Sequence, residues 1–149
     1  MSRLERPLAH RRLQTTGDVL VHAELNLAIK SDRGIWKTIL FVVDPGTEMS
    51  TMAAGEAKKW KLPIPKRPVK GLTLLGQEVR SGLLRVRIPG MDQTEYVFPC
   101  YFLGDPDAPP PPTAKNLLGL SGVIDQIRLT FDGVSFPGAP YGILIVEKR

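Results

Sequence analysis

Cysteine is almost absent. Cys100 is the only one in 149 residues, so the chain cannot close a disulfide on itself. A chain of this length buries a sizeable core without such a staple, and an unpaired thiol fits a reducing compartment. Long apolar runs are missing as well. No stretch approaches the roughly 18 residues of a membrane span. The segment Met1-Ser2-Arg3-Leu4-Glu5-Arg6-Pro7 lacks the apolar region of a signal peptide. A soluble, cytoplasmic protein without membrane contacts is expected. His10 and His22 are the only histidines, and no His/Cys/acid cluster has metal-ligand spacing. There is no glycine-rich phosphate loop. Neither a metal nor a cofactor is expected.

Acids are outnumbered, and the formal net charge is +5. Part of the excess is local: Lys58, Lys59, Lys61, Lys66, Arg67 and Lys70 form a run without acids. Such a run can serve nucleic acid or acidic partners. No zinc-finger, RRM or helix-turn-helix pattern accompanies it, so it reads as solvated surface beside a proline-containing loop, and nucleic acid is not the expected partner.

Strand periodicity dominates what is present. Residues 1–16 are basic and aperiodic and read as an N-terminal arm, leaving 17–149 as one domain. Val19, Val21, Ala23, Leu25, Leu27 and Ile29 alternate with Leu20, His22, Glu24, Asn26, Ala28 and Lys30, the period of a half-buried strand. Ser31-Asp32-Arg33-Gly34 is a hairpin turn, and Ile35 to Val43 returns, its end apolar on both faces. Ser50 is placed to cap a short helix whose face is Ala53, Ala57 and Trp60. Further strands are expected at 70–75, 83–88, 94–103, 127–131 and 141–146, with Cys100 a buried thiol in one of them. Pro109 to Pro112 reads as a stiff surface connector rather than a polyproline ligand. Many short strands with glycine and proline punctuation indicate an all-β sandwich or barrel.

One run joins apolar strand to chemistry: Phe41-Val42-Val43-Asp44-Pro45-Gly46-Thr47. A buried strand here delivers a carboxylate into a tight turn, and Gly46 lets the backbone fold toward it. By itself, Asp-Pro-Gly is also ordinary turn chemistry. Downstream, Asn116-Leu117-Leu118-Gly119 leads through a short helical stretch to Ile127-Arg128-Leu129-Thr130-Phe131-Asp132-Gly133.

In order and separation, these two stretches resemble the retropepsin-like aspartic proteases, of the bacterial, single-domain type. The resemblance covers most of Val19 to Val146. It implies an all-β fold, a closed β-barrel of the acid-protease type with one or two short helices. It implies Asp44 as the catalytic residue, in an active-site loop of Pro45, Gly46, Thr47 and Glu48. Leu117, Leu118 and Gly119 would support that loop, and a flap hairpin with Leu74, Leu75 and Gly76 near its tip would close over a peptide or protein substrate.

Aspartic peptidases need two carboxylates about one water, one ionised as general base and one protonated as donor. A second loop is not evident. Asp32-Arg33-Gly34 is a polar hairpin turn, and Asp132-Gly133 lacks the intervening residue. One copy implies a homodimer with Asp44 from each subunit across a two-fold axis. Four positions depart from the family pattern. Pro45 stands where Thr or Ser usually braces the two loops across the axis, and it has neither donor. Thr47 and Glu48 stand in place of Ala and Asp, and Leu120 in place of Arg. The alternative implied by Pro45 is a binding or dimerisation module that keeps the fold with impaired catalysis.

Overall fold

In a computed structural model of the chain, which describes residues 2–149, the alternating segment is a twelve-residue strand, β3 (Val19–Lys30). Its inward residues Ala23, Leu25, Leu27 and Ile29 are buried. Around it in chain order lie β1 (Arg3–Pro7), β2 (Ala9–Arg12), β4 (Trp36–Val43), β5 (Ser50–Ala53), α1 (Ala54–Lys59), β6 (Thr73–Leu74), β7 (Gln77–Arg87), β8 (Tyr96–Leu103), β9 (Leu117–Leu118), β10 (Ile127–Asp132) and β11 (Ile143–Lys148). The protein is mostly β, and α1 is the one helix among the described residues.

The strands form two sheets. The larger runs β2-β3-β4-β9-β5-β8-β7-β6, and β7 also pairs with β3 through Ala28↔Arg87 and Ile29↔Val86. Pairing therefore passes around a ring from β3 back to β3. Phe41, Phe98, Phe102, Leu84 and Met52 are fully buried inside it, each contributing roughly 1.5–3 kcal/mol through apolar burial. Cys100 is among them, and burial pushes its thiol pKa up. The second sheet has three strands in the order β1-β11-β10, all antiparallel, with Arg3↔Glu147 and Leu129↔Val146 in register.

Several expectations are revised. Residues 3–12 are no free arm: β1 and β2 pair with β11 and β3. Leu4 lies in the core, so the charges around it hid a strand with one buried anchor. Ser50 does not cap a helix. It sits in β5, and the helix begins after Ala53 with no side-chain cap. The strand expected at 70–75 shortens to Thr73–Leu74, because Leu75 and Gly76 form a turn back into β7, with Leu74↔Gln77 in register. Residues 120–127 turn helically through Val123 N–H to Leu120 O and Ile127 N–H to Val123 O without forming a regular helix. The last strand pairs with β1 and β10 of its own chain.

Candidate active site

β3 and β4 form a long hairpin. Its Ser31–Gly34 end is closed by Gly34 N–H to Ser31 O at 2.9 Å, and its open end delivers Asp44. The polar Asp32 thus sits at the opposite end of the hairpin from Asp44. Val42 and Val43 pair in parallel with Leu117 and Leu118 of β9, and Asp44 N–H donates to Leu118 O at 3.0 Å. The backbone before the carboxylate is therefore fixed on both sides, by β3 and by β9.

Residues 44–47 close a β-turn, with Thr47 N–H donating to Asp44 O at 3.1 Å. Pro45 occupies the second position of this turn, where proline is favoured and no N–H is needed. Its local fit is good. Both carboxylate oxygens are held from within the turn. Gly46 N–H donates to Asp44 Oδ1 at 2.9 Å, and the Thr47 hydroxyl donates to Oδ2 at 2.8 Å. A Cβ at Gly46 would stand 3.2 Å from Oδ1, so glycine keeps the N–H close to the carboxylate without crowding it.

The second motif locks the turn from behind. Leu120 N–H donates to Thr47 O and Glu48 O, both at 3.1 Å, and Ser121 N–H donates to Glu48 O at 2.7 Å. Glu48 enters through its backbone while its side chain is exposed. Gly119 N–H donates to Ser50 Oγ at 3.0 Å, which is the role Ser50 plays instead of capping. A Cβ on Gly119 would lie 2.6 Å from the Met49 carbonyl carbon, so only glycine fits this crossing. Asn116 adds a clamp, its Nδ2 donating to Leu40 O at 3.2 Å.

Asp44 and Pro45 line a hollow of about 410 Å³ together with Leu8, His22, Val42 and Phe131. His22 Nε2 lies 2.6 Å from Glu24 Oε1. His22 and Phe131 carry no local sequence signature of a place at this site. The hairpin register held the signal for His22: extending Ala23↔Val43 by one step sets it opposite Asp44. The hydroxyl of Thr47 was also missed, because its value depends on the turn closing. A larger hollow, about 630 Å³, lies elsewhere, between Arg3, Arg6, Asp132 and Phe136, and does not include Asp44.

Leu74, Leu75 and Gly76 form the tip of the β6–β7 hairpin. Leu75 has φ +53° and Gly76 φ +75°, and Leu75 is 87% exposed. Leu75 lines a third hollow of about 390 Å³ with Thr51, Met52, Leu103, Ala114 and Leu117. Lys115 is the one charged residue in its wall. Leu117 links this hollow to the Asp44 loop, since it pairs with Val42 on one side and Thr51 on the other. No helix is long and apolar enough to cross a membrane.

No protein-family model and no curated protein matches the chain. Solved structures do. A retropepsin-like aspartic protease from Rickettsia conorii superposes with a TM-score of 0.56 at 18% sequence identity, over 98% of this chain and 92% of that one. The ring of strands and the three-stranded sheet beside it thus make up a fold shared with a retropepsin-like aspartic protease.

Proposed function

We propose that this chain is an aspartic endopeptidase that works as a homodimer, with water activated between the Asp44 carboxylates of two subunits. The observation that carries the reading is the Asp44 turn. Both carboxylate oxygens are bonded within it, by Gly46 N–H and the Thr47 hydroxyl, and its backbone is tied to Leu118. These bonds fix the direction of the carboxylate, which matters more for general acid–base work than proximity alone. Two such groups facing one water cannot both ionise, so one carboxyl donates to the scissile carbonyl while the other takes the proton of water.

In this reading the ring of strands is the closed barrel of the fold. Leu74, Leu75 and Gly76 are the flap, and the hollow beneath Leu75 takes an apolar side chain of a peptide or protein substrate. The protein acts in the cytoplasm, where its single buried thiol stays reduced.

Pro45 favours a second reading, a dimerisation module of impaired activity, because it offers no hydroxyl or N–H to a facing loop. One experiment separates the two. Purified protein is incubated with a peptide library between pH 3 and 7, beside Asp44→Asn. Cleavage by the wild type that disappears in the variant supports the peptidase. A wild-type dimer that cleaves nothing over that range sinks it, and a cellular defect unaffected by Asp44→Asn points to the module.

A further inference from the structure

The far end of the β3–β4 hairpin carries charge that the proposed chemistry does not use. Lys30 stands opposite Trp36, and Ala28, two residues before it, stands opposite Arg87 of β7. Opposite residues, and residues two apart, share one face of a sheet. Lys30, Trp36 and Arg87 therefore lie together on the outer side, away from the buried Ile29. Both cations turn to the one ring. The Arg87 guanidinium carbon is 4.3 Å from the centre of the Trp36 ring, and Lys30 Nζ is 5.6 Å from it. Neither has an ion-pair partner among the described residues. Arg87 Nε is buried without a hydrogen-bond partner. Two like charges held at one ring, one of them with an orphaned donor, make an arrangement that an anion completes. More positive charge surrounds it. Arg33 is exposed in the turn and Lys37 follows Trp36. Lys61 is tied to the same end, its carbonyl accepting from Asp32 N–H at 2.9 Å. Asp32 is the one acid of the Ser31–Gly34 turn. Asp92 shares a hollow of about 260 Å³ with Trp36 and Arg87, but its carboxylate is engaged by Thr94 N–H at 3.1 Å and lies 3.6 Å from Lys148.

We infer that this end of the hairpin binds carboxylates of an acidic stretch in the protein substrate, remote from the bond that is cut. The inference rests on the peptidase reading above and adds a substrate class to it. A guanidinium is a planar fork that takes a carboxylate through two parallel bonds, and the indole against Arg87 fixes the direction of that fork. Lys30 brings a second charge to the same anion. Arg33, Lys37 and Lys61 suit further carboxylates along the stretch. Ile35 decides between polyanions. It is 54% exposed beside the cations, and a polypeptide covers it with an apolar side chain where a phosphate backbone does not. Stacking surface for bases is also missing at this end. The Trp36 ring is taken by cations, and Trp60 packs on the core with its Nε1 bonded to Glu56. Distance sets the spacing. Trp36 begins β4 and Asp44 follows its end. At about 3.3 Å a residue the two stand roughly 26 Å apart, which an extended substrate spans with about eight residues. The acidic stretch therefore lies about eight residues or more from the scissile bond.

The test has a binding arm that needs no proteolysis. Two fluorescein-labelled peptides share a cleavable core, and one carries a run of glutamates roughly ten residues from it where the other carries glutamines. Binding to the Asp44→Asn protein is read by fluorescence anisotropy at low salt. The glutamate peptide is expected to bind at least about tenfold more tightly, and added salt closes the gap. Arg87→Gln and Lys30→Gln each remove most of it. Arg87→Lys restores only part, because it keeps the charge without the fork. Lys30→Gln keeps the test open should Arg87→Gln unfold. Arg11→Gln, an exposed charge on β2, leaves the gap unchanged. In the wild type the glutamates lower KM at least about fivefold with kcat unchanged, and Lys30→Gln cancels the effect. Equal binding of the two peptides overturns the site, as does a gap that Arg11→Gln closes as far as Lys30→Gln does. A single-stranded oligonucleotide that binds more tightly than the glutamate peptide, and weakens in the same variants, overturns the polypeptide and puts nucleic acid in its place. Glutamate-dependent binding without cleavage by the wild type supports the site and removes the peptidase reading. Cleavage indifferent to the glutamates does the reverse.

Discussion

Gly119→Ala is the sharpest probe of the support behind the Asp44 turn. The added methyl would meet the Met49 carbonyl carbon at 2.6 Å, its oxygen at 2.8 Å and Ser50 N at 2.9 Å. Carbon atoms in contact normally sit about 3.5–4.0 Å apart, so backbone must give by close to 1 Å. The obstructing atoms are main chain at the entrance to β5 and have no rotamer to escape into. Overpacking of this kind costs about 1–3 kcal/mol. The shift also strains the Gly119 N–H bond to Ser50 Oγ and the Leu120 and Ser121 bonds to residues 47 and 48, each contributing about 1 kcal/mol. A loss of about 3 kcal/mol is expected, which for a domain of this size lowers Tm by roughly 6–12 °C. The assay is thermal unfolding by circular dichroism at one fixed protein concentration, because the proposed dimer would make Tm concentration-dependent. The chain supplies its own control. Gly133 has nothing within 4 Å of a built Cβ and no positive φ, so Gly133→Ala should leave Tm unchanged or raise it slightly. A Gly119→Ala variant that melts within about 2 °C of the wild type, well short of the expected loss, would refute the clash, as would equal costs for the two substitutions.

Two further outcomes are expected. Leu75 holds a left-handed conformation at the first position of an Asn-Gly-type turn, so Leu75→Asn should raise stability by about 1 kcal/mol. The same change removes the apolar tip, and a rise in KM for peptide with kcat little changed is the kinetic signature of a flap contact; an unaltered KM argues against one. The hydrogen bonds from Thr94 and the nearby Lys148 hold the Asp92 carboxyl below its ordinary pKa. A depressed carboxylate contributes stability that is present above its unfolded pKa and lost as pH falls through the folded one. Urea unfolding of Asp92→Asn should therefore differ from wild type at neutral pH and converge with it in acid; a gap that widens in acid contradicts the assignment.

Much of the fold was legible because its longest strands are one-sided. The alternation at 19–30 gave β3 to the residue, and the doubly apolar end of β4 gave its depth beside β9. The resemblance set Leu117, Leu118 and Gly119 behind the Asp44 turn, where Asp44 N–H meets Leu118 O and backbone approaches Gly119 closely. The rest depended on distant partners. β1 and β2 carry arginine and histidine outward and one or two apolar residues inward, too few for a periodic signal, and become strands only because β11 and β3 offer edges. Ser50 looks like a helix cap locally and becomes the acceptor for a glycine 69 residues away. His22 and Phe131 reach the Asp44 hollow from separate sheets, and only the register of one and the topology of the other bring them there.

The proline in the Asp44 turn has a consequence for when the site takes shape. Its ring fixes φ before folding begins, so the unfolded chain loses less conformational entropy on closing residues 44–47, a gain of about 0.4–1 kcal/mol where the native angle suits it. A loop held by bonds to a second subunit is ordered only once that subunit arrives. Here the carboxylate's orientation is set by bonds inside a single chain, so the proposed dimer would have only to bring two finished halves together. Activity measured against protein concentration should then follow the dimer population alone, with no separate ordering step.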